Sequence, residues 1–166
     1  SSTGIYAKNG ARVYNSGTIG VENNATGISA KGSGSIIDNY GNVSAGKGSD
    51  ALYMKDGDSI SNYGNLSAIK VDVIGIHSDN LNGTINNSGT ITILGDQSVG
   101  IYTVGAGSQV INNTGTITVG DSTNILNSSA GIYYDNSTAG IINSNNIIAG
   151  NKSVGIYNAG STVNQN

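Results

Sequence analysis

The sequence predicts an all-β protein folded as a parallel β-helix, a solenoid of about seven coils of about 24 residues each. Two short units recur along the 166-residue chain, and each contains an apolar run that ends at Gly or Asn. Apolar and polar residues alternate in residues 90–93 and 116–119, a period of two that is typical of strands. No unit has the i, i+3, i+4, i+7 apolar spacing of an amphipathic helix. The repeating units are therefore predicted to be strands.

The first recurring unit resembles Gly-Ile-Tyr and marks one position in each coil. Consecutive copies are 23 to 25 residues apart, except for one spacing of 31, and they start at Gly4, Gly27, Ala51, Gly75, Gly100, Gly131 and Gly155. A fixed period of this length indicates a solenoid, in which each repeat contacts only its neighbours.

The second recurring unit has the form apolar-x-Asn-x-Gly-x-apolar. It occupies residues 13–19, 37–43, 60–66, 85–91, 111–117 and 141–147, and only the last copy departs from the pattern, with Asn145 in the place of Gly. A lone unit would leave its apolar side chains exposed and its backbone donors and acceptors unpaired. Stacking removes both problems, because each strand then pairs in parallel with its equivalent one coil on, about 4.8 Å away.

One branched aliphatic residue per coil is predicted to point into the interior. Burial of such a side chain is worth about 1.5–3 kcal/mol relative to exposure. The predicted spine consists of Ile5, Ile28, Leu52, Ile76, Ile101, Ile132 and Ile156.

One Asn per coil is predicted to occupy a turn and to have a structural role. Asn tolerates left-handed backbone dihedrals and bonds to nearby backbone, and stacked Asn side chains also bond to one another as a ladder. This column consists of Asn15, Asn39, Asn62, Asn87, Asn113 and Asn143.

The residue after each spine position is predicted to point outward, because side chains alternate along a strand. Ser29 and His77 in this column fit exposure. Tyr offers a flat apolar face and a hydroxyl, which suit contact with sugars or proteins. The alternative is that the rings stack on one another and only stabilise the rod. The candidate binding face is Tyr6, Tyr53, His77, Tyr102, Tyr133 and Tyr157.

The chain is predicted to form a single β-helix segment over residues 1–166, with a surface loop near residues 120–130. The long spacing between Gly100 and Gly131 places about seven extra residues in this loop. An insertion in a solenoid leaves the rod as a loop, and such loops often lie on the binding face. A tolerated insertion without a role in binding is the alternative.

Charge and composition argue against several classes of partner. The formal net charge is -3 and only 10% of the residues are charged, with Lys and Arg scattered along the chain, whereas nucleic-acid binding needs clustered cations. The absence of Cys excludes disulfides, thiolate metal sites and cysteine catalysis. No apolar stretch reaches the roughly 18 residues that a membrane helix needs, so direct membrane insertion of this segment is not expected.

No motif predicts an enzyme, a cofactor or a metal site. Residues 46–51 match G-x-G-x-x-A, but they lead into the next strand and not into the helix of a dinucleotide site. Residues 56–59 resemble the start of a calcium loop, but Ile60 follows where an oxygen ligand is needed. His77, Ser78 and Asp79 are adjacent on a predicted strand, where alternation separates them onto opposite faces.

The tandem Gly-Ile-Tyr units, together with Ile-Asn-Asn-Xaa-Gly-Thr-Ile-Thr at residues 85–92 and 111–118, resemble the passenger domains of Gram-negative autotransporter adhesins, especially the large fusobacterial outer-membrane type. The resemblance covers nearly the whole chain. It implies a right-handed parallel β-helix, displayed on the outside of a Gram-negative cell and anchored through a C-terminal outer-membrane barrel. The implied partners are proteins or glycans on host or other bacterial cells. Both ends of this segment are expected to continue as β-helix in a larger passenger domain.

Two alternatives to a surface adhesin or stalk segment are open. A β-helical polysaccharide lyase or hydrolase would need carboxylates that converge from adjacent coils, and the Asp residues mostly fall at different coil positions. An ice- or mineral-binding rod would need a regular array, which Thr90, Thr92, Thr116 and Thr118 begin but the other coils do not continue.

Overall fold

The computed structural model describes residues 2–105, 108–135, 140–159 and 163–165. Within these ranges the predicted parallel β-helix is confirmed: the strands form six complete coils of three strands each and two strands of a seventh. The described residues contain one short 3-10 helix, Ile125–Asn127, and no α-helix. None of the helical structure in this part of the chain is long and apolar enough to cross a membrane.

Each coil contributes one strand to each of three parallel sheets, and the described strands stack in sequence order. Sheet 1 contains β1 (Thr3–Lys8), β4 (Thr26–Lys31), β7 (Asp50–Lys55), β10 (Ile74–Asp79), β13 (Val99–Val104), β16 (Ala130–Asp135) and β19 (Val154–Ala159). Sheet 2 contains β2 (Arg12–Asn15), β5 (Ile36–Asn39), β8 (Ser59–Asn62), β11 (Thr84–Asn87), β14 (Val110–Asn113), β17 (Ile141–Asn143) and β20 (Val163–Gln165). Sheet 3 contains β3 (Thr18–Val21), β6 (Asn42–Ala45), β9 (Asn65–Ala68), β12 (Thr90–Ile93), β15 (Thr116–Val119) and β18 (Ile147–Ala149).

The aliphatic spine lies inside sheet 1, with its residues directly above one another. The register pairs Ile76 with Leu52 on one side and with Ile101 on the other. Ile28, Leu52, Ile76, Ile101 and Ile132 are fully buried, whereas Ile5 and Ile156 in the first and last described coils are partly buried. Parallel columns from the other two sheets, such as Ile85 in β11 and Ile91 in β12, complete the core.

The Gly of each Gly-Ile-Tyr unit is explained by close packing between coils. A Cβ added to Gly75 would lie 2.5 Å from the carbonyl oxygen of Gly100 and 2.9 Å from Cγ2 of Ile91. The same overlap occurs at Gly27 and Gly131. Glycine is therefore the residue that lets the backbone of this strand approach the coil above.

The asparagine column forms a hydrogen-bonded ladder at the ends of the sheet 2 strands. The Nδ2 of Asn39 donates to the Oδ1 of Asn62 at 2.9 Å, and the Nδ2 of Asn62 donates to the Oδ1 of Asn87 at 2.9 Å. Each of these amides also bonds to the backbone two residues on, as Asn39 does to the carbonyl of Gly41 at 3.1 Å. Side-chain bonds therefore link Asn15, Asn39, Asn62, Asn87, Asn113 and Asn143.

The asparagine column does not use the left-handed backbone that Asn tolerates at turns. Each of the six residues is the last residue of a sheet 2 strand, and none of them has a positive φ. Left-handed backbone instead occurs at the two bends that flank sheet 1, at Asn9, Asn24, Asp56, Asp72, Asn80, Gln97 and Lys152.

Candidate functional site

The outward column of sheet 1 forms a continuous run of rings in the described residues from Tyr53 to Tyr157. The centroid of His77 lies 4.9 Å from that of Tyr53 and 5.1 Å from that of Tyr102, with the rings nearly perpendicular. Tyr102 and Tyr133 are 5.3 Å apart, and Tyr133 and Tyr157 are stacked at 4.6 Å. We call this run the long aromatic column.

The first two positions of the column differ from the sequence-based expectation. Ser29 is only 8% exposed, so its presence in the column does not indicate exposure. It lies in register between Tyr6 and Tyr53. A serine cannot bridge two rings, so Tyr6, which is exposed, is separated from the long aromatic column.

Stacking limits which surfaces of the rings remain available. His77 meets Tyr53 and Tyr102 edge to face, whereas the rings of Tyr102, Tyr133 and Tyr157 turn their faces toward one another on successive coils. Their edges and hydroxyls therefore form most of the outward surface. This arrangement is the ring stacking that the sequence analysis gives as the alternative to a binding face. Tyr53, His77, Tyr102 and Tyr133 are half-buried, whereas Tyr157 is exposed.

Charged side chains flank the column on both sides. The Nδ1 of His77 lies 3.1 Å from the Oδ2 of Asp50, and the Nζ of Lys55 donates to the Oδ2 of Asp79 at 2.5 Å. The hydrogen bond to Asp79, with its charge, raises the pKa of Lys55. Burial also raises the pKa of the hydroxyl of Tyr53, because a phenolate is poorly solvated between packed rings.

An open cleft of about 480 Å³ lies beside the upper end of the long aromatic column. Tyr133, Tyr157 and Val154 form one side, and the inserted segment forms the other through Leu126 and Asn127. Leu126 is 86% exposed, although leucine is usually buried. The predicted loop and the predicted binding face thus border the same cleft.

The inserted segment is held against the rod by hydroxyl and carboxylate groups. The backbone N–H of Ser129 donates to the Oγ of Ser122, which closes the loop at its base. The backbone N–H and the hydroxyl of Thr123 both donate to the carboxylate of Asp96. The hydroxyl of Thr123 is the main reason that the pKa of Asp96 lies below its usual value.

The catalytic residue types near the column do not converge. Ser78 is fully buried, and its hydroxyl donates to Oε1 of Gln109 at 2.7 Å inside the rod. His77 is on the opposite face, in contact with Asp50. In the described ranges no group of three His, Asp or Glu residues could hold a metal ion.

A second aromatic stack, which the sequence analysis did not predict, lies over sheet 2. The rings of Tyr14 and Tyr40 are 5.0 Å apart, and those of Tyr40 and Tyr63 are 4.5 Å apart with an interplanar angle of 16°. We call these three residues the short aromatic stack. A signal was present, because Tyr40 and Tyr63 each follow a ladder asparagine.

Comparisons of the chain with protein-family models, with curated proteins and with solved structures give no significant match.

Proposed function

We propose that this chain is an attachment segment of a cell-surface rod, of the kind formed by the passenger domains of Gram-negative autotransporter adhesins. On this proposal it is exported and displayed outside the cell, and it contacts a protein on a host or bacterial cell. The observation that supports the proposal most strongly is the cleft in which an exposed apolar loop meets the long aromatic column.

The chemistry of this surface favours a protein partner. Leu126, Val154 and Tyr157 expose apolar surface together, and Tyr with exposed aliphatic residues is typical of the centre of protein interfaces. Lys55 is already paired with Asp79 within the rod, and Asp50 is in hydrogen-bond contact with His77. A partner can therefore cover the surface without leaving those charges unpaired.

The surface is also rigid, which lowers the entropy that binding costs. Each ring of the column is supported by a ring on a neighbouring coil. The loop is fixed at its base by Ser122 and Ser129, and further along by Asp96. A preformed face of this type suits attachment of one cell surface to another.

The test is a binding assay of the purified chain on Gram-negative and animal cells. We expect saturable binding that is lost when the target cells are treated with protease. We expect Leu126→Ser to weaken it roughly tenfold, because the interface loses an anchor worth about 1–2 kcal/mol. Leu126 is exposed, so this change should leave the unfolding curve as it was.

A second variant tests the rings themselves. Tyr102→Ala with Tyr133→Ala should weaken binding, and Tyr14→Ala with Tyr40→Ala is the matched control on the other stack. The proposal is wrong if the chain binds no cell surface, since it would then only space other segments. It is also wrong if the control weakens binding as much as the test variant does.

A further inference from the structure

The short aromatic stack ends at Tyr63, and its end borders a second cleft. The backbone N–H of Tyr63 bonds to the carbonyl of Asn39, and the N–H of Ser88 bonds in the same way to the carbonyl of Asn62. Ser88 thus occupies the position of Tyr63 one coil on. Thr114 and Ser144 follow on the next two coils. Each of these side chains is too small to continue the stack.

A cleft of about 340 Å³ occupies the space where further rings would lie. Tyr63 closes one end, and Ser88, Thr114 and Ser144 form one wall. The outer surface of sheet 2 forms the floor. This volume is at the lower end of the range of about 300–1,000 Å³ found for small-ligand pockets.

The groups that line this cleft are uncharged and rich in hydrogen-bonding capacity. The described lining contains two amides, three hydroxyls, one tyrosine and Ile142, and none of these residues is charged. The Nδ2 of Asn112 donates to the Oδ1 of Asn86 at 3.1 Å, and the hydroxyl of Thr114 donates to that of Ser88 at 3.1 Å. These bonds fix the side chains in position one coil apart.

The fixed amides retain unused hydrogen-bonding groups. Within the described residues, neither the Nδ2 of Asn86 nor the Oδ1 of Asn112 has a partner in the protein. An amide nitrogen offers two donors and an amide oxygen two acceptor sites. A ligand in the cleft would therefore meet a donor and an acceptor on adjacent coils, about 4.8 Å apart.

From this arrangement we propose that the cleft beside Tyr63 binds a neutral pyranose sugar within a glycan chain. A pyranose has an apolar face of C–H groups, which packs on the face of an aromatic ring, and a rim of hydroxyls, which bond to amides and serine-type hydroxyls. The amides of Asn86 and Asn112 bind the hydroxyl rim. The glycan chain runs along the rod, over the coils that carry Thr114 and Ser144.

The absence of charge in the described lining selects a neutral sugar. An acidic sugar needs a cation to replace the water that it loses on binding. Arg12 is at the other end of the short aromatic stack, where its Nε donates to the Oδ2 of Asp38 at 2.6 Å. The proposal does not depend on attachment through the long aromatic column, because the two surfaces belong to different sheets.

The test is a calorimetric titration of the whole chain with neutral oligosaccharides of glucose, galactose, mannose and N-acetylglucosamine, and with a sialylated oligosaccharide. We expect saturable binding of at least one neutral oligosaccharide. Tyr63→Ala, which removes the ring, should lower its association constant roughly tenfold. Ser88→Tyr should have the same effect because the new ring continues the stack and covers the face of Tyr63.

The matched control is Tyr14→Ala, which removes a ring from the opposite end of the same stack and leaves the lining of the cleft intact. Its affinity should stay within about twofold of the wild type. Circular dichroism of each variant establishes that the coils are retained. The proposal is overturned if no neutral oligosaccharide binds, if Tyr63→Ala binds as tightly as the wild type, or if the sialylated probe binds more tightly than the neutral ones.

Discussion

The long aromatic column and the short aromatic stack are both built mainly from tyrosine but leave different surfaces open. In the long column, Tyr102 has a ring on the coil below and a ring on the coil above. In the short stack, Tyr63 has a ring on one side only, and Ser88 follows it on the next coil. The residue one coil away from a tyrosine thus determines whether its ring is covered and supports the rod or keeps an open face for binding.

The largest effect is expected from a change in the core beneath the long aromatic column. Ile101→Asp removes a fully buried side chain and leaves an unpaired charge in the core, which should lower the free energy of unfolding by about 3–5 kcal/mol. Urea or thermal unfolding measures the change. Ile101→Val is the matched control and should cost only about 0.5–1.5 kcal/mol. An unchanged melting curve for Ile101→Asp would show that the spine does not support the coils.

An intermediate effect on the free energy of unfolding should distinguish a ring inside the long column from the ring at the end of the short stack. Tyr102→Ala removes two ring contacts and should cost about 1–3 kcal/mol, whereas Tyr63→Ala removes one and should cost about 0.5–1.5 kcal/mol. Both residues are partly exposed, so values near the lower ends are expected. The comparison uses urea midpoints of the two variants measured side by side. An equal or larger loss for Tyr63→Ala would contradict the distinction between an internal and a terminal ring.

The smallest effect is expected at alkaline pH. Burial raises the pKa of Tyr53, Tyr102 and Tyr133 above the ordinary value of 10.0. The unfolded chain therefore loses these protons first, so the free energy of unfolding is unaffected below about pH 10 and decreases as pH rises toward the folded pKa values. Unfolding curves from about pH 9 to pH 11 measure this slope. Changing all three residues to Phe should flatten it, and an equally steep slope in that variant would exclude the column as its source.

Most of the fold could be predicted because the repeat itself encodes the register. Residues such as Ile76 and Ile101 recur one period apart, so the alignment of the units also aligns the strands. The requirement for Gly75 was visible as a repeat, but its cause was not. The cause is the close approach of Gly75 to the backbone of the coil above. A contact between coils is not visible in any short stretch of sequence.

The candidate sites were less predictable because they depend on what lies between repeats. Tyr14 is within a strand, whereas Tyr40 and Tyr63 follow one, so aligning the units does not place the three rings in one column. Their contact depends on the orientation of each tyrosine side chain over sheet 2, which the repeat does not specify. The aligned repeat shows that Ser88 replaces the ring one coil beyond Tyr63, but the cleft that this replacement leaves is visible only in three dimensions.

The same limit applies to the asparagines and to Ser29. The asparagine column allows both left-handed backbone and a ladder of side-chain amides, and the structure uses Asn15 and its equivalents for the ladder alone. The polarity of Ser29 predicts exposure, yet this residue is covered between neighbouring coils. In both cases the residue type alone did not determine which of its properties the fold uses.

The central claim is that a ring with an uncovered face binds a sugar, whereas rings inside a column support the rod and offer only their edges and hydroxyls to a protein partner. It is tested most directly by nuclear magnetic resonance of the chain with isotope-labelled tyrosine rings, during addition of the neutral oligosaccharide that binds best. The account predicts that the ring signals of Tyr63 shift with saturation and that those of Tyr102 and Tyr133 stay in place. Shifts at Tyr102 and Tyr133 with an unchanged Tyr63 would contradict it.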